Sequence, residues 1–349
     1  MMGALSKSNN TNTMRFCMVF VSFIILYICA VLWNIMSGSV DISASEIFGI
    51  IFNGYKTNTV AYNVVWKIRL PRLMLASLLG GALSLSGFLI QTFFRNPIAG
   101  PFVLGISSGA KMFLAVVTIA MNGFFSRMPL SVTVIASFVG SLLSMLLVLL
   151  FTGRVKNMSM LLVIGIMISY ICSAITDLLI NFANESDIVN LTHWSLGSFS
   201  AASWQDVRIS AFIIIPTVIA IFCFSKPMFA YSLGEEYARS LGLNVKIFRI
   251  FLVVSTGILS ACVVSFAGPI SFVGIAVPHI ARMLLRSSKP IMMIPVTFVC
   301  GAFFCVVCDL AARMLFSPTE LSISTVTSII GAPIVIWLMI SRRKNGTGQ

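Results

Sequence analysis

Long apolar stretches separated by short polar connections form the dominant pattern along this chain of 349 residues. Most of these stretches have close to the ~20 residues that an α-helix needs to cross a bilayer. We predict ten spans, at residues 16–33, 70–90, 102–121, 129–151, 158–182, 207–224, 247–266, 270–285, 291–315 and 322–340. The pattern therefore predicts an all-α polytopic membrane protein, with residues 1–349 as a single transmembrane domain.

Two of the ten spans are unusual. Within 270–285, Gly274 and Pro278 interrupt the apolar run and Arg282 adds a charge. We expect a broken or re-entrant helix there. The first span has no small-residue cleavage site behind it, and its apolar run is longer than that of a cleaved signal, so we expect it to be retained.

One polar segment, residues 233–244, stands out between two spans and is called the coupling segment below. Gly234 can supply an N-cap, and Glu235 and Glu236 fall in the first turn, where the positive end of a helix favours acids. Gly242 fits a left-handed C-cap. The pattern predicts a short, capped surface helix. Such a helix is either a simple connector or the contact by which a soluble partner moves the spans.

Composition agrees with a membrane protein: 58% of residues are hydrophobic, 9% are charged, and the mean hydropathy is +1.02. Soluble domains carry about 25% charged residues. The formal charge of +13 does not require nucleic acid, because basic residues mark the cytoplasmic loops of membrane proteins. With both termini inside, cytoplasmic segments hold 15 Lys and Arg and outer segments hold 7. We therefore predict a multi-pass protein of the cell membrane, N-in and C-in.

Three of the outer cations need a separate explanation. Arg69 and Arg72 are three residues apart at the start of the second span, and Arg313 ends the ninth. Arg69 and Arg72 oppose both the helix dipole, which disfavours cations at a helix N-terminus, and the usual scarcity of cations in outer segments. Isolated arginines snorkel at the membrane interface. Three arginines on the outer side of the membrane instead favour a basic patch, in which each guanidinium group can bind a carboxylate through two hydrogen bonds.

Small residues are concentrated at 80–87 and again at 105–110. Such stretches allow close helix packing. They could also line a pathway, because serines at 84, 86, 107 and 108 supply polar surface. Between them, residues 95–101 contain two prolines and one glycine, which predicts a cytoplasmic turn.

The sequence gives little support for an enzyme. His193 and His279 are the only histidines, and no Ser/His/Asp order or HExxH spacing accompanies them. Cys305 and Cys308 have C-x-x-C spacing but lie in an apolar run without a second pair, which favours packing over metal binding. The eight cysteines show no disulfide framework. We predict no catalytic residue, no metal site and no cofactor.

Two other transport classes were compared with the sequence. A secondary transporter requires intramembrane acids, and the spans hold Asp177 and Asp309. Asp309 has Arg313 as a partner four residues later, and Asp177 has no local partner. A channel requires an ordered polar or charged ring, which the sequence does not show.

Eight short motifs occur in an order that resembles the permease subunits of ABC importers for ferric siderophores, haem and cobalamin, the FecCD family. These motifs are residues 69–72 (Arg-Leu-Pro-Arg), 86–91, 95–99 (Arg-Asn-Pro-Ile-Ala), 104–110, the coupling segment, 268–274, 278–282 (Pro-His-Ile-Ala-Arg) and 331–333. They cover nearly the whole chain. The sequence departs from the family at Gly100, where an acid is common, and at Ser322 and Ser324, where Pro and Gly are common.

The resemblance implies a type II importer with two permease subunits, two cytoplasmic ATPases and an extracytoplasmic binding protein. The second permease is either a copy of this chain or a paralogue. The cargo is an iron chelate, a ferric siderophore being favoured over haem or cobalamin. The chain contains no Gly-Lys pair and hence no P-loop, so a separate subunit must hydrolyse ATP.

The resemblance also implies roles for individual residues. The helix formed by residues 234–243 would sit in a groove of the ATPase. Glu235, Glu236 and Arg239 would contact the ATPase, and Gly234 and Gly242 would allow the chain to reverse direction on either side. The cytoplasmic gate would comprise Asn96, Ile98, Met158 and Ser159, with Met158 making it more apolar than in the cobalamin importer. Arg69, Arg72 and Arg313 would receive glutamates of the binding protein.

Overall fold

The computed structural model describes residues 2–38, 40, 42–52, 59–121, 129–152, 155 and 158–346, and within them it holds helices and no strand. The α-helices are α1 Met2–Met36, α2 Ala44–Phe52, α3 Val60–Tyr62, α4 Leu70–Phe94, α5 Ile106–Ala120, α6 Leu130–Thr152, α7 Met158–Ile180, α8 Glu185–Leu196, α9 Trp204–Cys223, α10 Ser225–Leu233, α11 Glu235–Ser240, α12 Val245–Ala267, α13 Val273–Leu285, α14 Pro290–Met314 and α15 Ile323–Gly346. A π-helix, Asn63–Arg69, joins α3 to α4, and a 3-10 helix, Pro101–Leu104, precedes α5.

Every predicted span contains an α-helix, which confirms the all-α membrane fold. In the described part of the chain, seven helical stretches are long and apolar enough to cross a bilayer. They lie in α1, α3–α4, α6, α7, α9, α12 and α14. The other three predicted spans contain the shorter apolar helices α5, α13 and the 323–337 part of α15.

Two predicted spans have different boundaries in the structure. The 102–121 span is divided at Gly105, whose φ of 75° ends the 3-10 helix before α5 begins. In the 270–285 span, Phe272 has a φ of 62° and α13 begins only at Val273. The predicted break inside this helix is wrong, because α13 continues through Pro278 to Leu285.

The core is built around α4, and 89% of its apolar stretch is buried. It packs against α14, α12, α13 and α9. A Cβ added to Gly80 would lie 2.6 Å from the carbonyl oxygen of Gly301 on α14, and one on Gly87 would overlap the carbonyl of Gly274 on α13. Glycine at these positions lets the backbones approach closely.

The small residues at 80–87 therefore serve tight packing. Ser84 and Ser86 are fully buried, and the hydroxyl groups of Ser86 and Ser260 lie 2.6 Å apart. Both serines are thus enclosed between packed helices in the described structure. The second small-residue stretch packs in the same way, because a Cβ on Gly109 of α5 would lie 2.8 Å from the carbonyl oxygen of Gly140 on α6.

Candidate functional site

The coupling segment folds into the short helix α11, with the caps that the sequence predicts. Gly234 is the N-cap, in an extended conformation with φ 147° that disfavours side chains. Gly242 has a φ of 83°. The N–H of Gly242 donates to the carbonyl of Arg239 at 2.9 Å, and that of Leu243 donates to Ala238 at 3.0 Å. This pair of bonds is a Schellman motif, which ends the helix at Ser240.

Glu235 fixes α11 to the neighbouring span. Its carboxylate accepts from Arg239 at 2.7 Å and from Arg249 of α12 at 2.6 Å. The Arg249 side chain is only 15% exposed, so this second ion pair is shielded from solvent. The surface that α11 presents outward consists of Glu236, Tyr237 and Arg239, all exposed. Glu235 therefore differs from Glu236, because its carboxylate is already held by two arginines of the chain.

The cytoplasmic turn at 95–101 is held against the helix that precedes the coupling segment. Arg95 ends α4 with a φ of 49°. Its Nη2 donates to the carbonyl of Tyr231 on α10 at 3.0 Å, and its guanidinium carbon lies 5.0 Å from the centre of the Tyr231 ring. The turn is thus tied to α10, the helix that precedes α11.

The predicted gate residues occupy this turn and the start of α7. The Oδ1 of Asn96 accepts from the N–H of Ile98 at 3.0 Å, which fixes the turn locally. The Ile98 side chain is 46% exposed, and Ser159 is exposed in the first turn of α7. Met158 is the first residue of α7, and its side chain lies outside the described part of the chain. The gate assignment stays a prediction.

At the opposite end of the bundle lies an ion cluster formed by Arg72, Asp309, Arg313 and Glu320, called the outer ion cluster below. Arg72 Nε and Nη2 both contact Asp309 Oδ1 at 2.9 Å, and Arg72 Nη1 reaches Glu320 at 3.0 Å. Arg313 Nε lies 3.4 Å from Asp309. The side chains of Arg72 and Asp309 are 8% and 1% exposed, whereas that of Glu320 is 47% exposed.

Arg69 is also enclosed, although it is not part of the outer ion cluster. Its guanidinium donates to the carbonyl of Ile35 in the last turn of α1 and to that of Val40 just after the helix, each at 2.6 Å. Arg69 as a whole is 4% exposed.

The sequence predicts a basic patch at these arginines, and the described conformation encloses Arg69 and Arg72; their role in docking stays a prediction. The structure brings Arg72 and Arg313 together on Asp309 and places Arg69 on another segment. Two further outer cations of the charge count, Lys56 and Arg127, lie outside the described residues, as do the cytoplasmic Arg154 and Lys156.

Several contacts in these regions could not be predicted from the sequence pattern. The Asp309–Arg313 pair follows from helical spacing, but Arg72 and Asp309 are 237 residues apart. Asn34, which accepts from Arg313 at 2.7 Å, and Glu320 are likewise remote in sequence. Arg249 lies 14 residues from Glu235 on a different helix. Only the packing of α1, α4, α11, α12 and α14 reveals these partners.

Residues considered for other chemistry lie in ordinary surroundings. Cys305 and Cys308 are buried, and Cys305 packs directly against Gly80 of α4. His279 is 9% exposed within α13. Asp177 is exposed on the surface of α7. Asp309 is an ion-pair partner in the outer ion cluster, which is a structural use of the acid.

Comparison with known proteins gives a consistent result. The sequence profile of the FecCD transport family matches residues 6–341. The vitamin B12 import system permease protein BtuC of Salmonella paratyphi A is 37% identical over 276 residues, covering 79% of this chain and 83% of the relative. BtuC of Citrobacter koseri is 37% identical over 280 residues, covering 80% of this chain and 84% of the relative.

Two solved structures share the fold. One, assigned to the metal-chelate type of ABC transporter in an inward-facing conformation, has a TM-score of 0.82 at 26% identity and covers 93% of this chain and 99% of that one. PsaBC from Streptococcus pneumoniae in complex with Fab has a TM-score of 0.56 at 16% identity and covers 85% and 95% of the two chains. The second likeness concerns the fold alone.

Proposed function

This chain belongs to the FecCD transport family and is a membrane-embedded permease of an ABC importer for metal chelates or cobalamin; from this premise we propose that its cargo is a corrinoid of the cobalamin type. The observation that carries the proposal is the 37% identity, over four-fifths of the chain, to relatives named as vitamin B12 import permeases. The chain is a transport subunit and not an enzyme.

The sequence alone favoured a ferric siderophore. Both cargoes are metal chelates too large and polar to cross a bilayer unaided, and both fall within the family. The named relatives shift the preference to cobalamin. A ferric siderophore remains the second candidate, because the family resemblance covers such carriers.

We further propose that the importer contains a second permease, two ATPases and an extracytoplasmic binding protein. The surface of the chain supports a second permease subunit. Only 28% of the apolar stretch of α7 is buried, compared with 89% for α4. Because α7 also carries the exposed Asp177 and Ser159, part of this face is better suited to a water-filled path between two subunits than to lipid.

In this assembly the exposed surface of α11 contacts the ATPase through Glu236, Tyr237 and Arg239. Glu235 holds α11 on α12 through Arg249, so a force applied to α11 reaches a membrane span. The turn containing Asn96 and Ile98 is linked to the same region through Arg95 and Tyr231, which supports its assignment to the cytoplasmic gate.

Docking of the binding protein is proposed to occur at the outer ion cluster and Arg69. Arg72 and Arg69 are enclosed in the described conformation. A carboxylate of the binding protein could reach Arg72 only by replacing Glu320, its half-exposed partner. Docking would then require movement of the loop that carries Glu320, between α14 and α15.

The cargo is tested by the ligand that the cognate binding protein retains. Equilibrium dialysis against cyanocobalamin, haem and a ferric hydroxamate, each at equal concentration, should show retention of cyanocobalamin. Uptake of labelled cyanocobalamin into proteoliposomes should then require this permease. Retention of the ferric hydroxamate alone would overturn the cobalamin assignment and leave the permease function standing.

A further inference from the structure

A groove with a volume of ≈320 Å³ is lined by three membrane spans, α1, α9 and α14. Both α1 and α9 pack on α14, so α14 provides the floor and the other two helices provide the walls. Phe20 lies in the α1 wall, Ile219 and Phe222 lie in the α9 wall, and Ile294 and Phe298 lie in the floor. All the described side chains that line the groove are apolar.

The floor of the groove is fixed by the packing behind it. Ile294 is 1% exposed, and a Cβ added to Gly81 of α4 would lie 2.7 Å from the ring of Phe298. The Phe298 ring is thus held against α4. One turn further along α1 and α14, the rings of Phe23 and Phe303 make an edge contact with their centres 6.2 Å apart, which holds α1 on α14. The groove is therefore a preformed depression in the helix bundle.

The groove lies in one half of the bilayer, next to the predicted cytoplasmic surface. Its floor residues, within 294–299, lie about 6–14 Å along α14 from Pro290, the first residue of that helix. Its α9 residues precede the end of α9 at Cys223 by one to five residues. Phe20 follows Thr13, where the apolar stretch of α1 begins, by seven residues. Because one leaflet supplies about 15 Å of the hydrocarbon core, the groove faces the acyl chains of a single leaflet.

Cations are found at the cytoplasmic ends of these helices, and acids are not. The Nε of Arg15 in α1 donates to the carbonyl of Leu284 at 2.8 Å, a neutral partner that leaves the positive charge in place. Lys226 is exposed in the first turn of α10, which follows α9 directly. The sequence of α1 holds no acid, and neither does 207–234 or 286–308. A negatively charged group at this level would therefore meet cations and no carboxylate from these helices.

The size of the groove and its charge together indicate the occupant. An α-helix with its side chains is about 10 Å across, which is too wide for a groove of this volume. A flexible hydrocarbon chain can follow the apolar walls. The cytoplasmic leaflet contains anionic phospholipids, which Lys and Arg near the membrane surface attract. An anionic phospholipid matches both features, since its tail is apolar and its phosphate is negative.

We propose that this groove binds one anionic phospholipid of the cytoplasmic leaflet, with an acyl chain between α1 and α9 and the phosphate at the level of Arg15 and Lys226. The bound chain would fill the gap between the two helices and join α1 to α9 over the floor of α14. The site depends neither on the cargo nor on the ATPase, so its test is separate from that of the proposed function.

The preference for a headgroup is tested by native mass spectrometry. The full-length permease is purified in detergent, delipidated, and titrated with phosphatidylglycerol or with phosphatidylcholine that has the same acyl chains. We expect the first phosphatidylglycerol to bind about fivefold more tightly or better, because each nearby cation contributes about 1 kcal/mol toward an anionic headgroup. Equal affinities for the two lipids would overturn the proposal.

The charge at the cytoplasmic end is tested in the same titration. Lys226→Gln should weaken phosphatidylglycerol binding by about fivefold and leave phosphatidylcholine binding unchanged. Lys246→Gln is the control, because this exposed cation lies in the first turn of α12 and α12 does not line the groove. Equal effects of the two substitutions on phosphatidylglycerol binding would show that Lys226 has no special position and would contradict the proposed headgroup site.

The groove itself is tested by filling it. Val299 lines the groove on α14, so Val299→Phe should weaken binding of the first lipid of either kind by about tenfold or more, the effect of displacing two or more buried methylene groups. Val307→Phe is the matched control, since Val307 is a partly exposed residue of the same helix that does not line the groove. Equal lipid affinities for the two variants would overturn the assignment of the site to this groove.

A milder pair of variants covers the case in which Val299→Phe lowers the melting temperature of the permease. Ile219→Ala removes part of the α9 wall and should weaken binding of both lipids by about fivefold. Ile215→Ala is its control, because Ile215 is exposed on the same helix one turn away and does not line the groove. Equal binding by these two variants would also contradict the proposal.

The same spectra distinguish a protein occupant from a lipid. A second copy of the chain in the groove would appear as a dimer mass that Val299→Phe removes and Val307→Phe keeps. Another polypeptide in the groove would appear as an added mass with the same dependence on the two variants. Either result would assign the groove to a protein and overturn the lipid site.

Discussion

Arg72 shows how far burial changes the role of a charged side chain. Its partner Asp309 is 1% exposed, and the two form two short contacts at 2.9 Å. Removing one member of a buried ion pair leaves the other uncompensated, which costs several kcal/mol. Arg72 is therefore needed for the fold itself, whatever its part in docking.

We predict that Arg72→Gln lowers the free energy of unfolding by about 3 kcal/mol, because Asp309 keeps only Arg313 as a charged partner. Glu320→Gln is the matched control, since this side chain is 47% exposed and its pair with Arg72 contributes about 1 kcal/mol or less. Thermal unfolding in detergent measures both. Equal stability of the two variants would show that the outer ion cluster does not support the fold.

The sequence predicted contacts between residues that are close along the chain but not contacts between residues that are far apart along it. Helical spacing was enough to pair Asp309 with Arg313. The enclosure of Arg69 and Arg72 was not predictable, because their partners come from α14, the loop after α14, the end of α1 and the chain after it. An arginine at a predicted membrane interface looks exposed until the neighbouring helices are placed.

At the level of the helices, one carboxylate of α11 joins it to α12 by an ion pair, in addition to the packing of its buried Ala238. Glu235 contacts both Arg239 and Arg249, and only the second contact leaves the helix. The Arg239 side chain is 65% exposed, so the pair within α11 contributes little. The shielded pair with Arg249 is the mechanical connection between α11 and α12.

Glu235→Gln and Arg249→Gln should each reduce the amount of cargo imported per ATP hydrolysed, because α11 would move without pulling α12. The double variant should be no worse than either single variant, as expected for two residues that share one interaction. Lys246→Gln, which removes an exposed cation of α12, should leave the ratio unchanged. An unchanged ratio in both single variants would remove this connection from the mechanism.

The crossing of α4 and α13 depends on the absence of a side chain at Gly87. A Cβ there would overlap the carbonyl of Gly274, which is backbone and cannot rotate away. Gly87→Ala should therefore destabilise the protein by more than about 2 kcal/mol, at the upper end of overpacking effects. Gly100→Ala is the control, because the added Cβ would meet only the flexible end of Ile275 at 3.1 Å. Similar melting temperatures for the two variants would contradict this account of the crossing.

The helices and their caps were largely predictable, since each depends on a local pattern. Ten apolar runs gave ten helices, and Gly234 and Gly242 bound α11 as expected. The exceptions arise from packing. The π-helix Asn63–Arg69 has no periodicity of its own in the sequence, and the uninterrupted course of α13 through Pro278 depends on its contacts with α4 and α14.

For the whole molecule, the two ends of the bundle differ in how they are held. The outer end is held by the enclosed ion cluster around Asp309. The predicted cytoplasmic end presents α11, with Glu236 and Tyr237 exposed, and a turn tied to α10 by Arg95 and Tyr231.

We propose that this chain is a passive path and that a separate ATPase drives transport through it. The most direct measurement is uptake of labelled cyanocobalamin into proteoliposomes that contain the permease, with its binding protein on the substrate side. We predict uptake only when the cognate ATPase and ATP are present, and no effect of a proton gradient or of Asp177→Asn in their absence. Uptake by the permease alone, driven by a proton gradient and abolished by Asp177→Asn, would contradict the account.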